Sequence, residues 1–479
     1  MATPSVRGSA IAVRPRNLEL SIARSEADPS KHETRNQLLP ADVLFWLSVF
    51  AILLQFFLTS NVLRAVGIDV NMRVHPASVL VLLCATFALL KGVVPFHQRC
   101  RNSPRLLLFV FGVPLLAAYT VYFNGINGAA FYFDSFWSAA LLALLLESAT
   151  DKQKRWLARL LMTLVIANVL IGLWESVTQN NWFPFVADPI DGTSDSAALE
   201  TEDFRANAFY GHPLGASLIT SMAFFLLYSM QIRIAVAGPV IGLLLIGLLA
   251  FGGRTALGIT GLFSIMTAIY VLTMGIIRRN LRLDFVMGIM VAAIIVPLLI
   301  LIIVTQTTIA DRIIDTLYFD DSAQVRVTQW MVLDYLSLKN WLFGVPLADL
   351  EALKFQIGLD ASEDIENFWL LLCLNLGVIG FVVFVVFFGA FLTHVARYGG
   401  GLNGWLLMVS TLIIDSSSNS LGTKSNDLFI EVAFLMAMSG FKNYVRQPRA
   451  ARAHKPTAKF RPLPRALSDG PPEHWSAPA

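Results

Sequence analysis

Long apolar runs alternate with short polar connections along most of this chain. A run of about 17 to 25 apolar residues has the length of a helix that spans the hydrocarbon core of a bilayer. Twelve such runs, the last two shorter, are predicted at about residues 41–60, 76–94, 105–123, 128–147, 156–178, 213–230, 234–251, 255–277, 284–305, 365–393, 402–415 and 427–441. We therefore expect an all-α polytopic membrane protein with about 12 transmembrane helices. Residues 41–441 form the predicted transmembrane domain, residues 1–40 an N-terminal tail, and residues 442–479 a basic tail whose composition is typical of disorder.

Two connections are much longer than the others, at about residues 179–212 and 306–365, and both are rich in Asp and Glu. The second one predicts a helix that begins near the cap candidate Asp320, runs through Arg326 and reaches Trp341. Both long loops lie on the same side of the predicted membrane. This asymmetry favours a functional site on one face.

The distribution of Lys and Arg predicts the orientation of the chain. With 56% hydrophobic and only 14% charged residues and a formal net charge of +3, the composition is far from that of a soluble domain. Basic residues gather in both tails and on alternate connections, at Lys91–Arg105, Lys152–Arg155, Arg233, Arg278–Arg282 and Arg397. By the positive-inside rule these segments and both termini are cytoplasmic. Because topology explains the basic residues, nucleic acid is not expected as a partner.

One acidic residue, Glu366, begins an apolar run that follows the second long loop. If the run from Glu366 onwards is one helix, Gly377 lies on the same face about 16 Å further along the axis, and Gly380 lies close to that face. The two glycines would let a neighbouring helix approach closely. A carboxylate held in this way at the membrane surface suits a general base, with Asn367 beside it.

Three arginines on the same side are candidates for binding phosphate. Arg254 lies between two spans joined by almost no loop, Arg326 stands four residues before Trp330, and Arg205 closes the first acidic loop. Each could instead contact lipid headgroups or pair with a local acid. Together with one interfacial carboxylate, they favour a site for a diphosphate and a base.

Other ionisable residues have simpler interpretations. His212 is a rival base, although a histidine at a loop-to-helix junction is more often a cap. Asp134, Glu175, Asp415 and Glu431 lie within or at the outer ends of spans, where pairing with the arginines is expected. Neither Cys and His residues nor acidic residues show the spacing of a metal site, so we expect no metal and no cofactor.

Four of these segments, in order, resemble the O-antigen ligase and Wzy-type polymerase superfamily of bacterial envelope glycosyltransferases. The resemblance covers roughly residues 160 to 440. It rests on Arg205 through Gly211-His212-Pro213, on Gly253-Arg254-Thr255, on Arg326-x3-Trp330 leading to Leu342-Phe343-Gly344-Val345, and on Glu366-Asn367-x9-Gly377-x2-Gly380. In the ligases a histidine stands where this chain has Glu366, which favours a polymerase over a ligase while keeping a group that can accept a proton.

The resemblance implies a GT-C-like fold and an inverting, metal-independent glycosyltransferase in the bacterial inner membrane, with both termini cytoplasmic and the active site facing the periplasm. The expected substrate is an undecaprenyl-diphosphate-linked oligosaccharide, and the lipid bilayer and other polysaccharide export proteins are the further expected partners. The expected function is polymerisation of lipid-linked polysaccharide repeat units, of exopolysaccharide or O-antigen. A ligase that moves glycan to another acceptor and a lipid-linked oligosaccharide transporter are the alternatives. The residues assigned are Glu366 and His212 as catalytic, Arg254, Arg326 and Arg205 as diphosphate-binding, and Asn367, Gly377, Gly380 and Trp330 as supporting.

Overall fold

A computed structural model describes residues 30–59, 62, 74–125, 129–183, 204–210, 212–230, 232–277, 328–358, 365, 367–416 and 427–442. Within these ranges the regular secondary structure is helical and contains no β-strand. The helices are α1 (Ser30–Phe57), α2 (Pro76–Leu90), α3 (Val94–Asn102), α4 (Pro104–Asn124), α5 (Ser138–Glu147), α6 (Asp151–Thr178), α7 (Pro213–Met230), α8 (Ile234–Phe251), α9 (Arg254–Ile277), α10 (Leu338–Phe343), α11 (Leu347–Gln356), α12 (Phe368–Tyr398), α13 (Leu402–Ser416) and α14 (Asp427–Ser439). A π-helical segment, Tyr132–Trp137, leads into α5, and 3-10 turns cover Ala208–Tyr210 and Trp330–Tyr335.

The helical architecture is that of a membrane protein, because a helix satisfies its own backbone hydrogen bonds where no water is present. Among the described residues, α4, α6, α7, α9 and α12 are long and apolar enough to cross a bilayer, and the bent pair α2–α3 makes a sixth span if counted as one. The run predicted at 284–305 lies outside the described residues. Helix α1 begins at Ser30, eleven residues before its predicted start.

Helix α14 is the centre of the bundle. All 13 of its residues are buried, and it packs against α5, α6 and α7. All ten residues of α5 are buried as well. These two helices therefore form a protein core that is shielded from lipid by the helices around them.

One end of the bundle, called here the basic end, is held together by buried polar contacts around Glu147. The Glu147 carboxylate contacts the His394 ring of α12 and accepts a 2.9 Å hydrogen bond from the Ser103 hydroxyl. Lys154 of α6 donates to the Tyr398 hydroxyl at 2.8 Å, and that hydroxyl donates to the Glu147 carbonyl at 3.1 Å. The opposite end of the bundle is called the loop end.

Helix α12 is broken at Gly377, whose backbone has φ 61° and ψ 173°. The Phe368 ring lies 6.4 Å from the ring of Phe384 and also 6.4 Å from that of Phe388, between centroids. A straight helix would separate Phe368 from Phe388 by about 30 Å. The chain therefore reverses at Gly377, with a short arm (368–376) folded back along a long arm (378–398).

This reversal corrects the expectation of one continuous helix from Glu366 through Gly377 and Gly380. Glu366 and Gly377 therefore do not lie on one helical face about 16 Å apart, because the chain turns at Gly377. Glu366 lies outside the described residues. The long arm alone has 21 residues and a length of about 31 Å, which suffices to cross the hydrocarbon core.

The reversal is fixed by close contacts at the loop end. A Cβ at Gly377 would collide with the backbone of Leu342 and Gly344, and one at Gly380 would meet the ring of Tyr119. The Tyr119 hydroxyl donates to the Leu376 carbonyl at 3.1 Å. Both glycines thus admit close neighbours, and the neighbour at Gly377 is the end of the short helix α10 with the turn that follows it.

The second long loop differs from its predicted single helix. The 3-10 turn that starts at Trp330 ends at Tyr335, and α10 begins after the cap residue Ser337, whose hydroxyl accepts a hydrogen bond from the Asn340 amide at 3.2 Å. Trp330 is exposed and Trp341 lies in α10. Asp320 and Arg326 lie outside the described residues.

Candidate functional site

The segment that carries Arg205 is clamped to the loop end of α6. The buried Glu175 carboxylate accepts hydrogen bonds from the amides of Asn207 at 2.9 Å and Ala208 at 2.8 Å, and from Trp182 at 2.9 Å. Ala208 has φ 48°, in the left-handed region that disfavours a Cβ. The bonds to Glu175 hold this strained turn in place.

Two buried acids, Glu175 and Glu431, are satisfied by groups other than arginine. Glu175 binds three backbone amides, and Glu431 accepts a 2.6 Å hydrogen bond from the Thr411 hydroxyl. Asp134 accepts the His75 amide through both carboxylate oxygens, at 3.1 and 3.0 Å. The expected pairing with arginine is therefore wrong for Glu175 and Glu431.

Tyr210 connects this segment to the core of the bundle. Its hydroxyl donates to Asp427 Oδ1, at the start of α14, over 2.8 Å. A Cβ at Gly215 would collide with its ring, so the ring lies against the first turn of α7. Burial and the neighbouring Asp427 raise the pKa of Tyr210 well above its usual value, and Tyr210 therefore stays a neutral donor.

His212 caps the start of α7. Its Nδ1 accepts a 3.2 Å hydrogen bond from the Leu214 amide, so in the neutral ring the hydrogen is carried on Nε2. Surrounding protein and the nearby Arg205 lower the pKa of His212 to about 4, but His212 is exposed, so solvent offsets part of this lowering. A neutral ring whose Nε2 carries the hydrogen is suited to donating a hydrogen bond to an anion.

The turn that carries Arg254 packs against the same helix. A Cβ at Gly253 would collide with the side chain of Ser217, whose hydroxyl donates to the Pro213 carbonyl at 2.9 Å. Arg254 is exposed and is the first residue of α9. The Arg254 turn therefore lies about one helical turn from the cap at His212.

Two short helices end near this group of residues. Helices α13 and α14 have 15 and 13 residues, so they extend about 22 and 20 Å against a hydrocarbon core of about 30 Å. Helix α13 starts at the basic end, and α14 finishes there. Gly440, which follows α14, accepts a 2.9 Å hydrogen bond from Arg155 at that end. Asp415 near the end of α13 and Asp427 at the start of α14 consequently lie below the loop-end surface.

The short arm of α12 reaches the same depth. The Trp369 indole donates to the Ser416 hydroxyl of α13 at 2.7 Å. Asn367 caps the arm by accepting a 3.0 Å hydrogen bond from the Leu370 amide. Asn367, predicted as a supporting residue, is half-buried and begins the arm on the level where α13 ends.

The structure thus brings Arg205, His212 and the Arg254 turn together at the start of α7. Two further predicted residues, Glu366 and Arg326, lie outside the described residues. Trp330 is exposed on the loop. No group of three or more His, Cys, Asp and Glu residues that could hold a metal ion occurs in the part of the chain that the structure describes.

Two residues of this site, Tyr210 and Asp427, were not predicted from the sequence. Tyr210 stands directly before the Gly211-His212-Pro213 motif, and Asp427 is the acid that opens the last apolar run. Their positions at the edges of apolar runs were the available signal. Their hydrogen bond joins residues 217 positions apart, which no local pattern reveals.

A comparison of the chain with protein families and with curated proteins finds no match.

Proposed function

We propose that this protein polymerises lipid-linked polysaccharide repeat units, by glycosyl transfer from an undecaprenyl-diphosphate-linked glycan at the periplasmic face of a bacterial inner membrane. The observation that carries the proposal is the grouping of Arg205, His212 and the Arg254 turn at the start of α7. Guanidinium groups and an imidazole N–H are donors that suit the oxygens of a departing diphosphate. Helices α7 and α9 both begin here, and helix N-termini favour anions.

The depth of the site agrees with a substrate that is anchored in the membrane. Asp415, Asp427 and Asn367 lie at ends of α13, α14 and the short arm of α12, and α13 and α14 are shorter than the hydrocarbon core of a bilayer is thick. A polar group at this depth is costly unless it serves a substrate or a partner. The diphosphate of a lipid carrier lies at the membrane surface, within reach of such a site.

A transporter is a weaker alternative because of the basic end. An alternating-access mechanism has to open both ends of the bundle in turn. The contacts among Ser103, Glu147, Lys154, His394 and Tyr398 tie several helices together at that end. Glycosyl transfer at the loop end needs no opening of the basic end and leaves these contacts intact.

The decisive experiment compares lipid-linked glycans from a deletion strain with those from the parent strain. Loss of a polymerase should leave single repeat units on the carrier lipid, whereas loss of a ligase should leave polymer on it. Purified protein in detergent should lengthen lipid-linked glycan without a membrane barrier, which no transporter can do. Unchanged glycan in the deletion strain would contradict the proposal.

Glu366 remains the proposed base, because it immediately precedes the Asn367 cap of the short arm and is able to accept the proton of the acceptor hydroxyl. Removing a general base lowers a rate by about a hundredfold to ten-thousandfold. Glu366→Gln should therefore accumulate single repeat units, and Glu366→His should retain part of the activity. Asp349→Asn, which neutralises an exposed acid on α11, is the matched control. Normal polymer from a well-expressed Glu366→Gln protein would rule out Glu366 as the base.

A further inference from the structure

The segment between Arg205 and His212 is held from two sides. On the α6 side, Glu175 binds the amides of Asn207 and Ala208, and the Asn168 side chain accepts the Phe209 amide at 3.0 Å. These bonds fix the backbone as far as residue 209. They do not fix the chain between that point and the start of α7.

The second side is the contact between Tyr210 and Asp427. The Tyr210 ring lies against Gly215 and 6.2 Å from the ring of Phe56. Its hydroxyl reaches Asp427 Oδ1, and Asp427 is only 4% exposed. Every residue of the helix that Asp427 begins is buried, so the acceptor is attached to the most rigidly packed element of the bundle.

The two ends of the segment carry the groups that the proposed reaction needs. Arg205 lies five residues before Tyr210, and His212 lies two residues after it. Arg205 is near enough to His212 to lower its pKa. A displacement of the Tyr210 ring would move His212 relative to Arg205 and the Arg254 turn, and misplacement of about 1 Å is enough to weaken a reaction about a hundredfold.

We propose that Tyr210 and Asp427 are a positioning pair, which fixes His212 at the start of α7 beside Arg205 so that both can bind the diphosphate of the lipid carrier. The inference rests on the proposed function for its ligand, but the positioning itself can be measured without any substrate. Neither residue is proposed to touch the reacting atoms.

The first test measures the segment directly. Hydrogen–deuterium exchange of the purified full-length protein should rise at the amides between Tyr210 and Leu214 in Tyr210→Phe, which removes the donor and keeps the ring. Tyr270→Phe, on the exposed part of α9, is the matched control and should leave exchange there unchanged. Unaltered exchange in Tyr210→Phe would overturn the pair, whatever the substrate is.

The second test uses undecaprenyl diphosphate as the probe for binding. Tyr210→Phe and Asp427→Leu should each weaken binding about tenfold, which corresponds to losing one hydrogen bond to a charged group. The double variant should bind no more weakly than Asp427→Leu alone, and Asp427→Asn should bind nearly as well as the wild type because its amide oxygen can still accept. If the losses of binding free energy in the two single variants simply add in the double variant, Tyr210 and Asp427 do not act as a pair.

The two tests separate the pair from the proposed function. If the wild-type protein does not bind undecaprenyl diphosphate, the proposed function fails while the exchange experiment still decides the positioning. If Tyr210→Phe lowers the melting temperature but leaves both local exchange and binding affinity unchanged, Tyr210 is only structural and the inference is wrong.

Discussion

At the scale of single residues, His212 combines the roles of helix cap and neighbour of Arg205. Its pKa is lowered from 6.5 to about 4, so the unfolded chain binds a proton that the folded protein does not. Stability should therefore be fully present above pH 6.5 and should fall as the pH drops from 6.5 towards 4. Because the side chain has an accessible surface, solvent screens part of this effect.

His212→Gln should remove that dependence on pH. Between about pH 7.5 and 5, the melting temperature of the wild-type protein in detergent should fall further than that of His212→Gln. The matched control is His97→Gln, which removes an exposed histidine from α3 and should follow the wild type. An equal fall in melting temperature in all three proteins would show that His212 does not cause the dependence of stability on pH.

Arg254 tests whether the fork geometry of guanidinium matters. Loss of a donor that stabilises developing charge costs about a hundredfold to a thousandfold in rate, so Arg254→Ala should lose most polymer. Arg254→Lys should recover only part of it, because an ammonium cannot bind two oxygens in a plane. Polymer yield is measured in cells with equal amounts of protein. Full activity of Arg254→Ala would show that Arg254 does not bind the departing diphosphate.

At this scale the sequence identified groups but not their partners. Arg205, His212 and Arg254 could be chosen by residue type and by position at the ends of apolar runs. Glu175 could be recognised as a costly buried acid, yet its three amide donors come from a loop whose path depends on the whole fold. Hydrogen bonds between distant segments follow from tertiary packing, which no local pattern contains.

At the scale of elements, the reversal in α12 depends on one glycine. Gly377 has a φ and ψ that are essentially restricted to glycine, and a Cβ there would strike the backbone at Leu342 and Gly344. Gly377→Ala should therefore destabilise the protein by about 1–3 kcal/mol from backbone strain alone. Thermal unfolding in detergent measures the change.

Gly389→Ala is the control for this substitution, because Gly389 lies in the long arm of the same helix and a Cβ added there would meet nothing within 4 Å. Alanine favours a helix over glycine by about 1 kcal/mol, so this variant should be neutral or slightly more stable. If Gly377→Ala is as stable as Gly389→Ala, the reversal at Gly377 is wrong.

Most helices could be predicted from apolar runs, but the reversal could not. Residues 365–393 read as one apolar stretch, and the paired glycines at 377 and 380 suggested close packing of a straight helix. An apolar sequence has the same composition whether it continues through the membrane or folds back inside a bundle. The backbone angles of Gly377 and the contacts of Phe368 with Phe384 and Phe388 distinguish the two arrangements.

At the scale of the whole molecule, the contacts group the predicted cytoplasmic connections at one end. Lys154 meets Tyr398, Arg155 meets Gly440, and Asn403 of α13 donates to the Ser229 hydroxyl of α7 at 3.2 Å. These residues belong to connections that the distribution of Lys and Arg assigns to the same side. The distribution of Lys and Arg therefore predicted which helix ends lie together, because the positive-inside rule applies to each connection between spans.

The bundle alone does not say which end faces the cytoplasm, and the positive-inside rule supplies that prediction. Basic residues are retained on the cytoplasmic side during insertion, so a reporter fused at position 450 should be cytoplasmic and one fused at position 320 should be periplasmic. Alkaline phosphatase is active only after export and should be active at 320 alone. A fusion at position 280, in the basic connection after α9, is an independent cytoplasmic point. Activity at 450, or its absence at 320, would contradict the predicted orientation. Arg205, His212 and the Arg254 turn would then face the cytoplasm, and the proposed periplasmic reaction could not take place there.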